Sequence, residues 1–164
     1  MSTWVTRKNL HVDRTACPWL IRRFVDPRAK FMFADARSAP KAGARSFDMV
    51  GAEFTHEGPR CTFETMIQRL GLGDDRALVA MGLIVRGADI PSIKRRRPES
   101  IGLEAVIDGI QATVPDDEEK LRVTGPLYEA LYAYCQREVG AHKARDPRRP
   151  RLRFARRVQE HLAE

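Results

Sequence analysis

The chain has 164 residues, which is enough for one domain with a hydrophobic core of its own. No apolar run approaches the roughly 20 residues of a membrane-spanning helix, and the N-terminal segment MSTWVTRKNLHVDR lacks the apolar core of a signal peptide. We therefore expect a cytoplasmic protein without a membrane partner. Three widely spaced cysteines exclude a disulfide framework and a structural zinc site with paired cysteines.

The net charge of +7 is concentrated near the C-terminus, where residues 143–157 hold eight basic side chains and one acidic one. We divide the chain into a domain over residues 1–142 and a basic tail over residues 143–164. A second basic run lies at 94–97. Such charge is able to contact nucleic acid, but no nucleic-acid-binding motif accompanies it, and a solvated tail is the favoured interpretation.

The predicted elements form a strand–helix–strand unit followed by helices. The strands are expected over residues 4–6 and 30–34, and residues 46–55 are expected to hold a third strand or a hairpin edge. The first helix has its apolar face at Cys17, Leu20, Ile21 and Phe24, and Pro18 is acceptable only near its start. Further helices are predicted over 62–70, with Thr62 as the N-cap, and over 76–85, 101–110 and 115–138, the last with a bend at Gly125-Pro126. This order predicts an α/β or α+β fold: a small sheet from the N-terminal third, covered by several helices, and a mainly helical remainder.

The segment HVDRTAC, between the first strand and the first helix, carries the first group of candidate site residues. In an extended chain, His11 and Asp13 point to the same side. An imidazole and a carboxylate so placed suit a divalent metal or an acid–base pair. The alternative is that Asp13 or Thr15 caps the first helix and that His11 is an ordinary loop histidine.

A second polar group follows at Asp48 and in the segment EFTHEG. Glu53 and His56 would complete a metal shell of nitrogen and oxygen ligands with His11 and Asp13, suited to zinc, iron or manganese. The segment resembles half of a helical zinc signature, but the second histidine is missing. Glu64 and Asp89 are candidate additional ligands. The alternative is a surface turn with scattered charges.

Two cysteines lie near predicted helix starts. A thiol at a helix N-terminus often has a lowered pKa, and Arg60 would act in the same direction on Cys61. Cys61 is therefore a candidate catalytic residue. Glu57, next to His56, is the other candidate, and the sequence does not assign the catalytic residue. Cys17 and Cys135 fall on apolar helical patterns, so we expect them in the core.

Three arginines are candidates for binding an oxyanion, because the guanidinium fork matches such groups. They are Arg14, Arg22 and Arg60. For Arg22 the alternative is a helical ion pair with Asp26.

Three strings give the chain a family resemblance: VTRKNLHVDRTACPWLIRRFVDP, FDMVGAEFTHEGPRCTFETMI and GLEAVIDGI. Together they resemble the chromate-resistance family, specifically the ChrB C-terminal domain, over residues 5–134. The family is also labelled an exported protein, but without an export signal here we keep the cytoplasmic expectation. Longer members carry an N-terminal region associated with regulation that this sequence does not contain, so we do not expect direct promoter recognition.

The resemblance implies a role in chromate resistance, and three hypotheses follow. The first is a sensor or accessory domain that binds a divalent metal, an oxyanion such as chromate, or both. The second is an enzyme, either a metal-dependent hydrolase or a thiol-based chromate reductase. The third is a nucleic-acid-binding regulator that uses the basic tail, and we rank it last.

Overall fold

The computed structural model describes residues 1–35, 38, 43–90, 92–93 and 96–145, with side chains described as far as residue 141. Part of the predicted basic run at 94–97 and most of the predicted basic tail lie outside these residues. The last helix continues to Arg145, three residues beyond the predicted boundary at 142. Among the described residues, no helix is long and apolar enough to cross a membrane.

A three-stranded parallel sheet forms the N-terminal part of the fold. Its strands are β1 (Thr3–Arg7), β2 (Lys30–Ala34) and β3 (Arg45–Ser46), in the order β2-β1-β3. The central residues of β1 are buried, as expected for a strand covered on both faces. Because the three strands are parallel, the segments that follow β1 and β3 leave the same edge of the sheet. This edge carries the candidate site.

Five α-helices complete the described part of the fold. They are α1 (Val12–Leu20), α2 (Thr62–Arg69), α3 (Arg76–Asp89), α4 (Pro98–Thr113) and α5 (Asp117–Arg145). Helix α1 contacts α2, α3 and α5, so it lies at the centre of the helical layer. The predicted α/β class, with a small N-terminal sheet and a mainly helical remainder, is confirmed.

Helix α1 begins earlier than the sequence pattern indicated. Its N-cap is His11, and Asp13 lies in the first turn, so the prediction that Asp13 or Thr15 caps this helix was wrong. Pro18 lies well inside the helix, which corrects the expectation that it sits near the start. A proline there removes one helical hydrogen bond, and the chain continues as a π-helix over Ile21–Val25.

The N-cap of α2 and the last residue of α3 differ from the predicted positions, and both differences affect the candidate site. The N-cap of helix α2 is Cys61, one residue before the predicted cap Thr62, which is the first residue of the helix. The N–H of Cys61 donates to Glu64 Oε2 at 3.2 Å. Helix α3 is capped by Asp75 and continues one turn beyond residue 85. Its last residue is therefore Asp89.

Between β3 and α2, residues 47–57 form a compact loop rather than an extended hairpin. The N–H of Asp48 donates to Phe54 O at 2.9 Å, and the N–H of Phe54 donates to Ser46 O at 3.1 Å. The buried rings of Phe47 and Phe54 anchor this loop against Trp4. The loop thereby fixes the positions of Asp48 and His56 beside α1.

Candidate metal centre

Asp13 is a buried carboxylate that joins α1 to α2. Its side chain is 1% exposed. Oδ2 accepts a hydrogen bond from the N–H of Thr62 at 2.6 Å, and Oδ1 accepts one from the N–H of Phe63 at 3.2 Å. These are free first-turn amides of α2, where the helix dipole favours negative charge. Asp13 therefore caps α2 instead of its own helix.

Asp89 brings a second carboxylate to the same place from the end of α3. Its Oδ1 accepts a hydrogen bond from the N–H of Asp13 at 3.2 Å. Burial raises the pKa of Asp89 to about 6, and the negative charges of Asp13 and Asp48 act in the same direction. The negative end of the α3 dipole also disfavours a carboxylate at this position. Nearby positive charge consequently does not balance the negative charge of ionised Asp89.

His56 lies between the carboxylates. Its Nε2 is 3.1 Å from Asp13 Oδ2, 3.2 Å from Asp89 Oδ2 and 3.8 Å from Asp48 Oδ1. The hydrogen bond with Asp13 raises the pKa of His56 to about 9; partial burial opposes this shift, and the charges of the three aspartates reinforce it. In the absence of a metal, the imidazolium is the cation that these carboxylates share.

Asp48 holds the loop against this group. Its Oδ2 accepts a hydrogen bond from Arg14 at 2.8 Å, and its Oδ1 accepts one from the Thr62 hydroxyl at 2.9 Å. The backbone φ of Asp48 is 48°, in the left-handed region that aspartate tolerates better than most residues. Local strain of this kind is common at functional sites. Asp48 is a third carboxylate within reach of His56, although its own oxygens are already bonded.

The spacing of these three side chains is compatible with a small metal shell. Asp13, His56 and Asp89 each offer one ligand atom, and these atoms lie within 4.8 Å of one another. The two nitrogen–oxygen separations of 3.1 and 3.2 Å are close to the edge of about 3.3 Å in a tetrahedron with bonds of roughly 2.0 Å. One imidazole and two carboxylates suit zinc, iron or manganese, and three protein ligands leave a coordination position open.

The structure does not bring His11 to this group. Its Nε2 lies 2.7 Å from Asp108 Oδ1 on α4, at the protein surface. The expectation that His11 and Asp13 share one side assumed an extended chain. Because the helix begins at Val12, the two side chains diverge.

The predicted glutamates also lie apart from the three convergent ligands and pair with arginines instead. Glu53 Oε1 is 2.6 Å from Arg45, and the Glu57 carboxylate is 3.6 Å from Arg69. Glu64 lies 3.5 Å from Arg86. Among the described residues, Asp13, His56 and Asp89 are the one group of three or more histidine, cysteine or acidic side chains with convergent ligand atoms.

The surroundings of the cysteines differ from those that the predicted reactivity requires. Cys61 is buried, and this burial, together with the charge of Asp13, raises the pKa of its thiol. The expected lowering at the helix N-terminus was therefore wrong. Cys17 is likewise buried with a raised pKa, for the same principal cause. Cys17 and Cys135 are in the core, as expected.

The three predicted anion-binding arginines are spread over different surroundings. Arg14 is bonded to Asp48, next to the candidate metal centre. Arg22 lies over the ring of Phe31, with its guanidinium carbon 4.8 Å from the ring centroid. Arg60 lines a separate cavity of about 260 Å³ beside α2 and α3. The structure thus offers no common anion site for the three.

Two contributors near the site were missed from the sequence. Asp48 was noted as part of the second polar group but not chosen as a site residue, and Arg7 was not considered. The signal that would have found both is positional: Arg7 ends β1 and Asp48 follows β3, at the carboxyl edge of a parallel sheet.

The family model of the ChrB C-terminal domain matches residues 4–135. The chain belongs to this family. It is 39% identical over 132 residues to Protein ChrB of Cupriavidus metallidurans (strain CH34), and the match covers 80% of this chain. The chain spans 40% of the length of that relative. No solved structure matches. Asp13, His56 and Asp89 all fall within the matched region.

Proposed function

We propose that this chain is a divalent-metal-binding domain that acts as a sensor or accessory factor in chromate resistance. The observation that carries the proposal is the convergence of Asp13, His56 and Asp89, whose ligand atoms lie within 4.8 Å of one another. Membership of the ChrB family provides the context of chromate resistance.

The electrostatics of the site support a cation there. A helix terminus already stabilises Asp13, whereas Asp89 lies at the unfavourable end of α3, close to two other carboxylates. Bringing these charges together is costly unless a positive charge joins them. A divalent metal supplies more positive charge than the imidazolium of His56. When bound, it would offer a Lewis-acidic centre with an open position.

The residues around the ligands would hold them in place for a metal. Backbone amides of α2 fix both oxygens of Asp13, and the Asp13 N–H fixes one oxygen of Asp89. Such supporting hydrogen bonds orient ligands and add to metal affinity. The site therefore needs little rearrangement to accept an ion.

Of the enzyme hypotheses, thiol-based reduction receives no support from the surroundings of Cys61. A nucleophilic or redox-active cysteine requires thiolate character and access to solvent. Cys61 has 0% exposure and a raised pKa. A metal-dependent reaction remains compatible with the proposed site.

The decisive experiment is metal analysis of protein purified without chelators. We expect about one zinc, iron or manganese ion per chain in the wild type. The His56→Ala variant should lose it, and the matched His11→Ala variant should retain it, because His11 pairs with Asp108 away from the centre. Circular dichroism would verify that both variants fold. Near-zero metal in the wild type, or equal retention by both variants, would refute the proposal.

A further inference from the structure

A cavity of about 370 Å³ opens beside the candidate metal centre. Its lining residues come from the end of β1 and from the loop between β3 and α2: Arg7, Asp48, Met49, Val50, Gly51, Thr55 and His56. Since His56 is one of the three proposed ligands, the cavity adjoins the position that the ion would occupy. A ligand bound in it would lie beside the His56 side chain.

Arg7 brings a guanidinium to the wall of this cavity. Its Nε donates to the backbone O of Asp48 at 3.1 Å, which fixes the stem of the side chain. Its terminal nitrogen NH2 is 3.8 Å from Asp48 Oδ2, beyond hydrogen-bond distance. The Asp48 carboxylate already has closer donors in Arg14 and Thr62. Within the described residues, the terminal nitrogens of Arg7 are thus left without a hydrogen bond.

The formal charges of the site favour an anion once a metal is present. Three aspartates, Asp13, Asp48 and Asp89, carry three negative charges, and Arg7 and Arg14 carry two positive ones. A divalent ion on a neutral His56 leaves the group with one excess positive charge. That excess faces a solvent-accessible cavity rather than another carboxylate of the described chain.

The size and walls of this open cavity leave room for an organic ligand. Pockets of roughly 300 Å³ and above hold small organic molecules, whereas a single water occupies about 30 Å³, so a bare inorganic oxyanion would fill little of this space. Met49 and Val50 provide apolar surface, and Val50 is 82% exposed at the edge of the cavity. An apolar body would contact these side chains.

We propose that this cavity binds a small organic anion whose phosphate or carboxylate group bridges the metal ion and Arg7. The inference rests on the proposed metal site and adds to it the ligand class and the residue that recognises the ligand. Arg7 is a binding residue in this arrangement, because its free guanidinium nitrogens donate charge-assisted hydrogen bonds to the oxyanion group.

The test is isothermal titration calorimetry of phenylphosphonate into zinc-loaded and chelator-treated protein, with inorganic phosphate as the second probe. We expect phenylphosphonate to bind the zinc-loaded form, and to bind it more tightly than phosphate because the phenyl group buries apolar surface. Arg7→Gln should weaken binding roughly tenfold or more while retaining one zinc per chain. Arg22→Gln is the matched control and should bind like the wild type, because Arg22 lies over Phe31.

A second variant makes the test independent of the hydrogen bond between Arg7 and Asp48. Val50→Asp places a carboxylate at the mouth of the cavity on an exposed side chain, so it should weaken binding without unfolding the protein. Ile101→Asp, on exposed α4 surface, should not.

The outcomes separate the two proposals. A wild-type protein that takes up no metal overturns the proposed function and, with it, this inference. Bound zinc with no affinity for phenylphosphonate overturns the inference alone. Unchanged binding in Arg7→Gln or Val50→Asp, or a loss in Arg22→Gln, also overturns it. Phosphate that binds as tightly as phenylphosphonate overturns the assignment of an organic ligand.

Discussion

Replacing Asp89 with asparagine is expected to stabilise the metal-free protein at neutral pH. The carboxylate has a raised pKa because burial and the charges of Asp13 and Asp48 outweigh the attraction of His56. An amide keeps the shape and the acceptor for the Asp13 N–H, and it removes the charge. The same change should lower metal affinity by a factor of roughly ten or more, since a ligand carboxylate is lost.

The size of the stabilisation follows from the pKa. For Asp89 it rises from 3.8 to about 6, and each unit corresponds to about 1.4 kcal/mol. Removing the charge should therefore raise the free energy of unfolding by roughly 3 kcal/mol at a pH well above 6. This pKa shift is already net of the attraction to His56 at 3.2 Å, so we expect a gain of up to about 3 kcal/mol.

The sign of the pH dependence is fixed by the direction of the shift. A raised folded-state pKa favours the protonated native state, so this contribution is fully present below pH 3.8 and is lost as the pH rises through about 6. Ionised Asp89 therefore destabilises the native state at pH 7.5. The advantage of Asp89→Asn should be largest there and should shrink steadily towards pH 4.

Urea denaturation in the presence of a chelator, at pH 7.5, 5.5 and 4, measures the effect. Asp117→Asn is the matched control with the opposite sign. Burial would raise the pKa of Asp117, but hydrogen bonds from Lys120, Leu10 and Asn9 together lower it. That variant should lose stability at pH 7.5 and still show the loss at pH 5.5. If Asp89→Asn is less stable than the wild type at pH 7.5, or if its effect does not change with pH, the reasoning is wrong.

Three further predictions concern packing, protons and thiols. Gly87→Ala should destabilise the protein by about 1–3 kcal/mol, because the new Cβ would lie 2.4 Å from Ser100 Oγ. Gly109 has open space around it, so Gly109→Ala should be neutral or stabilising by up to about 1 kcal/mol in the same urea titration. Metal binding at pH 7.5 should release about one proton, because the pKa of His56 is about 9 without metal. Titration calorimetry in two buffers of different ionisation enthalpy measures the number of protons released. Zero release would contradict the role of His56 as a metal ligand. Cys61 should react with iodoacetamide only after unfolding; rapid labelling of the native protein would show that the thiol is accessible.

The elements with strong local patterns were predictable from the sequence. The strand predicted over residues 30–34 coincides with β2, because a short apolar run ended by a charged loop has few alternatives. The start of α1 was not predictable in this way. Asp13 has the side chain of an N-cap, and it does cap a helix, but that helix is α2. Only the tertiary packing of α1 against α2 decides which amides it meets.

For the proposed centre, the sequence predicted the types of residue but not which of them converge. Asp13 was identified from its spacing to His11, and His56 from the carboxylates on either side of it. Asp89 was a weaker candidate at a helix end. His11 was misplaced because its direction depends on where the helix begins, and its partner Asp108 comes from α4, 97 residues away in sequence. Glu53 was misplaced because an arginine from β3 neutralises it. Both errors concern partners that the local sequence pattern does not reveal.

The two carboxylates of the proposed centre differ in what the fold requires of them. Asp13 accepts hydrogen bonds from two first-turn amides of α2, so its charge contributes to folding whether or not an ion is bound. Asp89 accepts one hydrogen bond, from the Asp13 N–H, which an asparagine would accept equally well. Its negative charge also pairs with His56 at 3.2 Å, but burial and the charges of Asp13 and Asp48 outweigh that attraction, so we expect the charge to act against the fold at neutral pH. A buried charge that the fold does not need points to a use outside folding, and a cation shared with Asp13 and His56 supplies one.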